Sequence, residues 1–139
     1  MTEADSADRY EQRARAIQLA SQPILDGFEH WLKQAGWREK TIRDHVDNIR
    51  FFTKYLAWYT RSQHSLVEAT DSDVYWFLAD WFPRKALWAS VTSVKSYLAS
   101  FKKFFQWMGE TGRVSPETVF DVLDTLKEGR VEFLEAVDE

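Results

Sequence analysis

The sequence predicts an all-α fold, a bundle of four to five helices with an N-terminal extension, and three observations predict it. Five glycines and three prolines in 139 residues leave too few of the turns an all-β chain requires, while seven tryptophans and ten phenylalanines supply a heavy aromatic core. No stretch alternates apolar and polar residues with period two, and no internal repeat or low-complexity tract stands out. The run Ser90 to Met108 places Val91, Val94, Leu98, Phe101, Phe105 and Met108 at spacings of three and four, one stripe of a long helix. With 45% hydrophobic residues, a chain of this length suits one domain rather than two.

Residues 1–20 are polar and alanine-rich, with only Tyr10, Ala14 and Ile17 on a thin apolar line, so a frayed or loosely docked, partly helical extension is expected there. Ser21 is a candidate N-cap and Pro23 fits a first turn. Ile24, Leu25, Phe28, Trp31, Leu32 and Ala35 then keep helical spacing as far as Gly36, which can close the helix in the left-handed conformation. A second long helix is expected from about Glu39 to Thr60, with Ile42, Val46, Ile49, Phe52, Leu56 and Tyr59 inward. Its outer side carries Lys40, Arg43, Arg50 and Lys54, interrupted by Asp44, Asp47 and Asn48, and Asp47 can pair with Arg43 and Arg50 along the helix.

After a loop from Arg61 to Ala69, Thr70 and Asp73 have capping-box spacing, and Val74, Phe77, Leu78 and Trp81 form a short third helix that Pro83 should stop. The connection to Ser90, the natural cap of the long helix, holds Arg84, Lys85 and Trp88, the last an anchor packed on the bundle. On the long helix, Thr92, Lys95, Ser96, Ala99, Lys103 and Gln106 face away from the apolar stripe and would admit a phosphate backbone. Ser115, Pro116 and Glu117 start a final amphipathic, acidic helix, in which Gly129 costs about 1 kcal/mol relative to alanine and marks a possible break. The chain therefore divides into an extension (1–20), a core helical domain (21–114) and an acidic C-terminal helix (115–139).

The net charge of −4 conceals a division. Residues 1–30 hold three Lys/Arg against six Asp/Glu, residues 31–113 thirteen against eight, and residues 114–139 two against eight. A basic middle between acidic ends can steer a polyanion to one face. The absence of cysteine excludes disulfides and thiolate metal sites, and no leader or long apolar run points to export or a membrane, so the cytoplasm is expected. His30, His45 and His64 have no metal-ligand spacing, and His30 with Asp26 is the nearest approach to one. No glycine-rich phosphate loop or nucleophile motif occurs. No metal, cofactor or enzymatic activity is expected.

Three blocks in order carry a resemblance. They read Thr41-Ile42-x-x-His45-Val46-x-x-Ile49-Arg50-Phe51-Phe52-x-x-Tyr55-Leu56, then Leu66-x-x-Ala69-Thr70-x-x-Asp73-Val74-x-x-Phe77-Leu78, then Tyr97-Leu98-x-Ser100-Phe101-Lys102-Lys103-Phe104-Phe105-x-Trp107-Met108-x-x-x-Gly112-x-Val114. Across residues 24–114 the chain resembles the N-terminal, SAM-like core-binding domain of tyrosine recombinases of the phage-integrase type, with His45 where an aromatic is usual. The resemblance implies half of a clamp around double-stranded DNA, in which the starts of the second and fourth helices meet the major groove and its phosphates. It implicates Arg38, Lys40, Thr41 and Arg43 on one helix, Ser90, Thr92 and Lys95 on the other, and Arg84 and Lys85 alongside, with Arg43 or Lys95 reaching base edges.

The family's catalytic half carries an HxxR motif and a tyrosine nucleophile, and no HxxR occurs in these residues. Tyr55, Tyr59, Tyr75 and Tyr97 read as packing groups, and the catalytic set is none. Two readings stay open. One is a DNA-gripping module serving site-specific recombination or DNA integration. The other is a helical interaction module of the same fold that does not bind DNA and uses its acidic C-terminal helix to form a homo-oligomer or meet a partner helix.

Overall fold

The computed structural model describes residues 2–137; Met1, at the head of the expected extension, and Asp138 and Glu139, at the end of the expected acidic helix, lie outside the described residues. Every regular element among the described residues is helical. The first is α1 (Glu3–Gln34), a single rod of 32 residues that runs through the boundary expected at residue 20. Thr2 caps it, with the Asp5 amide donating to Thr2 Oγ1 at 3.2 Å.

Ser21 therefore does not start a helix. It lies buried inside α1, and its hydroxyl donates to the Gln18 carbonyl at 2.7 Å. Pro23 is also interior, where its missing N–H leaves the Leu19 carbonyl without a helical donor, and Leu19 is exposed so that water can serve it.

Nor is the extension frayed. Ala14 and Ile17 are buried together with Ala57, the Tyr10 hydroxyl donates to the Thr60 carbonyl at 2.6 Å, and Trp58 Nε1 donates to Gln18 Oε1 at 2.9 Å. Buried Gln63, held at φ 46°, donates from Nε2 to the carbonyls of Tyr10 (2.8 Å) and Ala57 (3.0 Å), joining α1 to the end of the next helix. Gly36 at φ 84° turns the chain. Its amide reaches Lys33 O and the Trp37 amide reaches Leu32 O, the hydrogen-bond pattern that only a left-handed residue closes without strain.

Helix α2 (Glu39–Trp58) folds back along α1 as a helical hairpin. Its inner stripe is as expected except at Tyr59, which is 49% exposed and rests on the Trp81 ring at 4.9 Å. A 3₁₀ turn (Leu66–Glu68) leads to α3 (Asp71–Trp76), capped by Thr70 and Asp73 as their spacing predicts.

Pro83 does not stop the third helix. A wide π-helical turn (Phe77–Trp81) precedes α4 (Phe82–Lys85), whose first turn contains Pro83. The Phe82 amide bonds to the Phe77 carbonyl, and the wider turn relieves the clash a proline ring makes with the carbonyl four residues back. The extra residue turns both Trp81 and Phe82 into the core.

Helix α5 (Val91–Glu110) is the central rod, and Phe52 meets Phe101 edge-on at 4.9 Å while Phe28 meets Phe104 at 5.1 Å. Beyond Gly112, Ser115 caps α6 (Pro116–Glu128), which continues into α7 (Arg130–Glu135). Val122, Leu126 and Phe133 are buried, so this acidic segment closes the bundle with its apolar side. At Gly109 and Gly129 a side chain has no room: a Cβ on Gly109 would sit 2.5 Å from Val119 Cγ2, and one on Gly129 would sit 2.5 Å from the Phe133 ring.

Candidate nucleic-acid interface

Cross-helix contacts fix how α2 and α5 lie. His45 touches Ser100, Asn48 touches Ser96 and Ser100, Phe51 packs on Trp88, and Lys103 lies over the Trp37 ring. As residue numbers rise on α2 they fall on α5, so the two helices are antiparallel. The start of α2 therefore sits beside the second half of α5, and the start of α5 sits beside the end of α2. At ~1.5 Å per residue, the levels of Arg43 and Thr92 differ by roughly 15 Å along the pair. The expected residues thus form two groups joined by one helix face.

Lys40 is tied to Asp44 at 2.8 Å. Arg50 is tied to Asp47 at 2.7 Å, which leaves Arg43 and Arg38 without a carboxylate within 4 Å among the described residues. Thr41 is half-buried. A notch of about 470 Å³ beside Arg43 is also lined by Glu29 and Glu39, so the charge at this end is mixed. Arg84 is chelated by Asp80 at 2.8 and 3.1 Å, a contact that holds the Asp80 carboxyl below its ordinary value and raises that of the guanidinium. Lys85 is exposed and unpaired among the described residues.

Ser90 is occupied with capping: the Ser93 amide donates to its hydroxyl at 3.1 Å, while its own amide donates to Ser93 Oγ at 2.8 Å. Thr92 and Lys95 are exposed beyond it.

Within α5 the cations Lys95, Lys102 and Lys103 have no carboxylate partner among the described residues, and the helix's single acid, Glu110, is its last residue. Lys103 is held by a cation–π contact, its nitrogen 4.1 Å from the Trp37 ring centre. Lys95 and Lys102 are seven residues apart, close to two full turns, and so point the same way. Lys102 was not among the residues singled out from sequence; its position outside the apolar stripe was the available signal. Lys127 and Arg130, on the far wall of a groove beside Lys95 and Lys102, were hidden within a segment read as acidic.

A polar seam fills the space between α2 and α5. Buried His45 approaches Ser100 Oγ with Nδ1 at 2.6 Å, Asn48 Nδ2 donates to Ser96 Oγ (3.0 Å) and Ser100 Oγ (2.9 Å), and Ser100 Oγ donates to the Ser96 carbonyl (3.0 Å). With the imidazole proton on Nδ1, these contacts fill the one donor and two acceptor positions of the Ser100 hydroxyl. Burial, then the nearby Lys103 charge, lowers the His45 pKa, and Asp44 opposes them more weakly. Asn48 is half-buried in the outer edge of this seam, and its Oδ1 has no partner among the described residues.

Tyr55 and Tyr97 are buried in the core, and Tyr75 packs against it. Burial pushes the Tyr55 hydroxyl up to about 12 and raises that of Tyr97 further, so neither readily forms a phenolate. Tyr75 donates to Glu132 at 2.7 Å. Among the described residues no group of three or more His, Asp or Glu side chains could hold a metal ion, and no helix is long and apolar enough to cross a membrane.

A family model described as phage integrase, N-terminal SAM-like domain, matches residues 25–112. The chain belongs to this family. The matched SAM-like domain is the N-terminal unit of the integrases and covers the blocks that carry the sequence resemblance as far as Gly112, two residues short of Val114. Comparisons with curated proteins and with solved structures return no match.

Proposed function

We propose that this SAM-like domain is a DNA-gripping, core-binding module of an integrase-type tyrosine recombinase, working on double-stranded DNA in the cytoplasm. The observation that carries the reading is the exposed side of α5, where Lys95, Lys102 and Lys103 stand without carboxylate partners among the described residues in a chain whose net charge is negative. Such a row neutralises phosphates, which position a protein on the duplex without reading its sequence. Arg38 and Arg43 at one end of the α2–α5 pair and Lys85, Thr92 and Lys95 at the other would contact phosphates on the two rims of a major groove ~12 Å wide. Lys40 and Arg84 would contribute once Asp44 and Asp80 release them, and Ser90 would act through its helix cap. Between the rims, Asn48 Oδ1, which has no partner among the described residues, would accept a hydrogen bond from a base amino group.

The reading takes residues 21–114 as the gripping unit, residues 1–20 as a brace for it, and the acidic helix from 115 onward as the side turned from DNA. It assigns strand cleavage to none of these residues. Titration of a fluorescent duplex by anisotropy tests it: four to six phosphate contacts give a slope of log K against log [salt] of roughly −4 to −5. A duplex that stays unbound at low salt would leave the interaction-module reading, which the acidic outer face of α6 and α7 favours.

A further inference from the structure

The outer side of α6 and α7 carries both halves of a complementary contact. One half is the groove of about 500 Å³ against α5, which Leu98 and Leu126 line together with Lys95, Lys102, Lys127 and Arg130; among the described residues no carboxylate lines it. None of those four cations has a carboxylate within 4 Å among the described residues. The other half is the ridge beside the groove, where Phe120 is 68% and Val131 67% exposed. At ~100° per residue these two fall within about 20° of one line. Glu117, Asp124 and Glu128 are exposed along the same side.

Hydrogen bonds carry the segment across its junction. Gly129 sits at φ −89° and ψ −3°, a slight opening between the two helices, yet its amide bonds to the Thr125 carbonyl at 2.9 Å and the Phe133 amide bonds to the Gly129 carbonyl at 2.9 Å, so α7 follows α6 end to end.

We propose that α6–α7 pairs with the same segment of a second copy of this chain, antiparallel about a two-fold axis, with Phe120 of each copy seated in the basic groove of the other. The register supports this occupant. An antiparallel alignment that sets Phe120 opposite Lys127 of the other copy also sets Glu117 opposite its Arg130 and brings Asp124 within a turn of its Lys127. The exposed aromatic thus meets leucines, and the acids meet cations that have no partner at home. A phosphate backbone would use the cations but neither the leucines nor Phe120. Because the groove between α5 and α6–α7 lies beside the ridge on one face of the chain, the contact is isologous and closes as a dimer rather than a filament. A single helix pair is a small interface, so the dimer is weak. The proposal shares Lys95 and Lys102 with the DNA-gripping reading but does not rest on it, and its test contains no DNA, so the two fail separately.

Sedimentation equilibrium of the full chain from about 1 μM to about 0.5 mM, the range in which weak dimers dissociate, is expected to show a monomer–dimer equilibrium. Phe120→Asp is expected to weaken it by on the order of 100-fold or more, since each substitution counts twice across the axis. Its exposure leaves the fold intact, as a circular dichroism melt will verify. Glu117→Arg and Arg130→Glu are each expected to weaken dimerisation roughly 10-fold, and the double variant to restore it to near the wild-type constant, which a general change of surface charge cannot do. A monomer throughout the range, association indifferent to Phe120→Asp, or a double variant no better than the single ones each overturns the proposal. Capture of an acidic amphipathic peptide by a chain that stays monomeric would give the groove to a different partner and overturn it equally.

Discussion

Replacing Ser100 with alanine isolates the seam that sets α2 against α5. The change removes a single oxygen, so no sizeable cavity follows, but it removes the only hydrogen-bond partner His45 Nδ1 has among the described residues, on a residue that is 6% exposed. Asn48 keeps its bond to Ser96 Oγ at 3.0 Å. One buried donor left unpaired costs about 1–3 kcal/mol. An unfolding entropy of ~2.1 cal/mol/K per residue gives ~0.3 kcal/mol/K for a chain of this size, so the melting temperature should fall by about 3–10 °C. The second arm removes both partners. His45→Phe with Ser100→Ala places apolar groups on both sides, which is close to neutral when shape is kept, so the double variant should be more stable than Ser100→Ala alone. Chemical denaturation of wild type, both single variants and the double variant gives the coupling directly. A loss below ~0.5 kcal/mol for Ser100→Ala, or a double variant that simply adds the single losses, would refute the seam as a paired network.

Two further outcomes follow from particular atoms. Because burial and Lys103 lower the His45 pKa, folding disfavours the imidazolium: the stability His45 contributes is full above the unfolded value of 6.5 and falls as pH drops through the lower folded value. Melts between pH 7.5 and 5, about the window in which histidine titrates, should therefore slope downward with acid, and His45→Gln should flatten part of that slope. The depressed carboxyls of Glu68 and Asp80 act in a separate window, below their ordinary values of 4.5 and 3.8. At the α5–α6 contact, Gly109→Ala puts a Cβ 2.5 Å from Val119 Cγ2 and should cost about 1–3 kcal/mol by denaturant unfolding, and adding Val119→Ala should recover part of it.

The core was legible because its signal is local. Ile49, Phe52, Phe77, Leu98, Phe101 and Phe105 each belong to a stripe whose spacing can be read within one helix, and all are buried. The Thr70 and Ser90 caps were legible for the same reason, since a capping box spans four residues. What sequence missed depends on contacts far along the chain. Residues 2–20 look too polar to dock firmly, yet Tyr10, Arg13 and Gln18 are anchored by partners 40 to 55 residues away, at the end of α2 and in the loop that follows it. On α2, Asp44 and Asp47 face several cations at helical spacing, and side-chain geometry decided that Lys40 and Arg50 are paired while Arg43 has no carboxylate partner among the described residues. Pro83 signals a stop only when the preceding turn is α-helical; the π turn removes the conflict. For the candidate site, charge division along the chain pointed to its basic middle, but the antiparallel setting of α2 and α5 and the groove shared by Lys102 with Lys127 and Arg130 are tertiary facts.

The central claim is that the α5 lysines grip phosphate, and the salt dependence of duplex binding tests it most directly. Lys95, Lys102 and Lys103 replaced together by glutamine should leave the fold intact, since two are exposed and the third is half-exposed. Each phosphate contact contributes a slope of about −0.9, so anisotropy titrations across salt should show the wild-type value of roughly −4 to −5 flattening by about two to three units, with affinity falling on every duplex sequence tried. An unchanged slope in the folded triple variant would contradict the account.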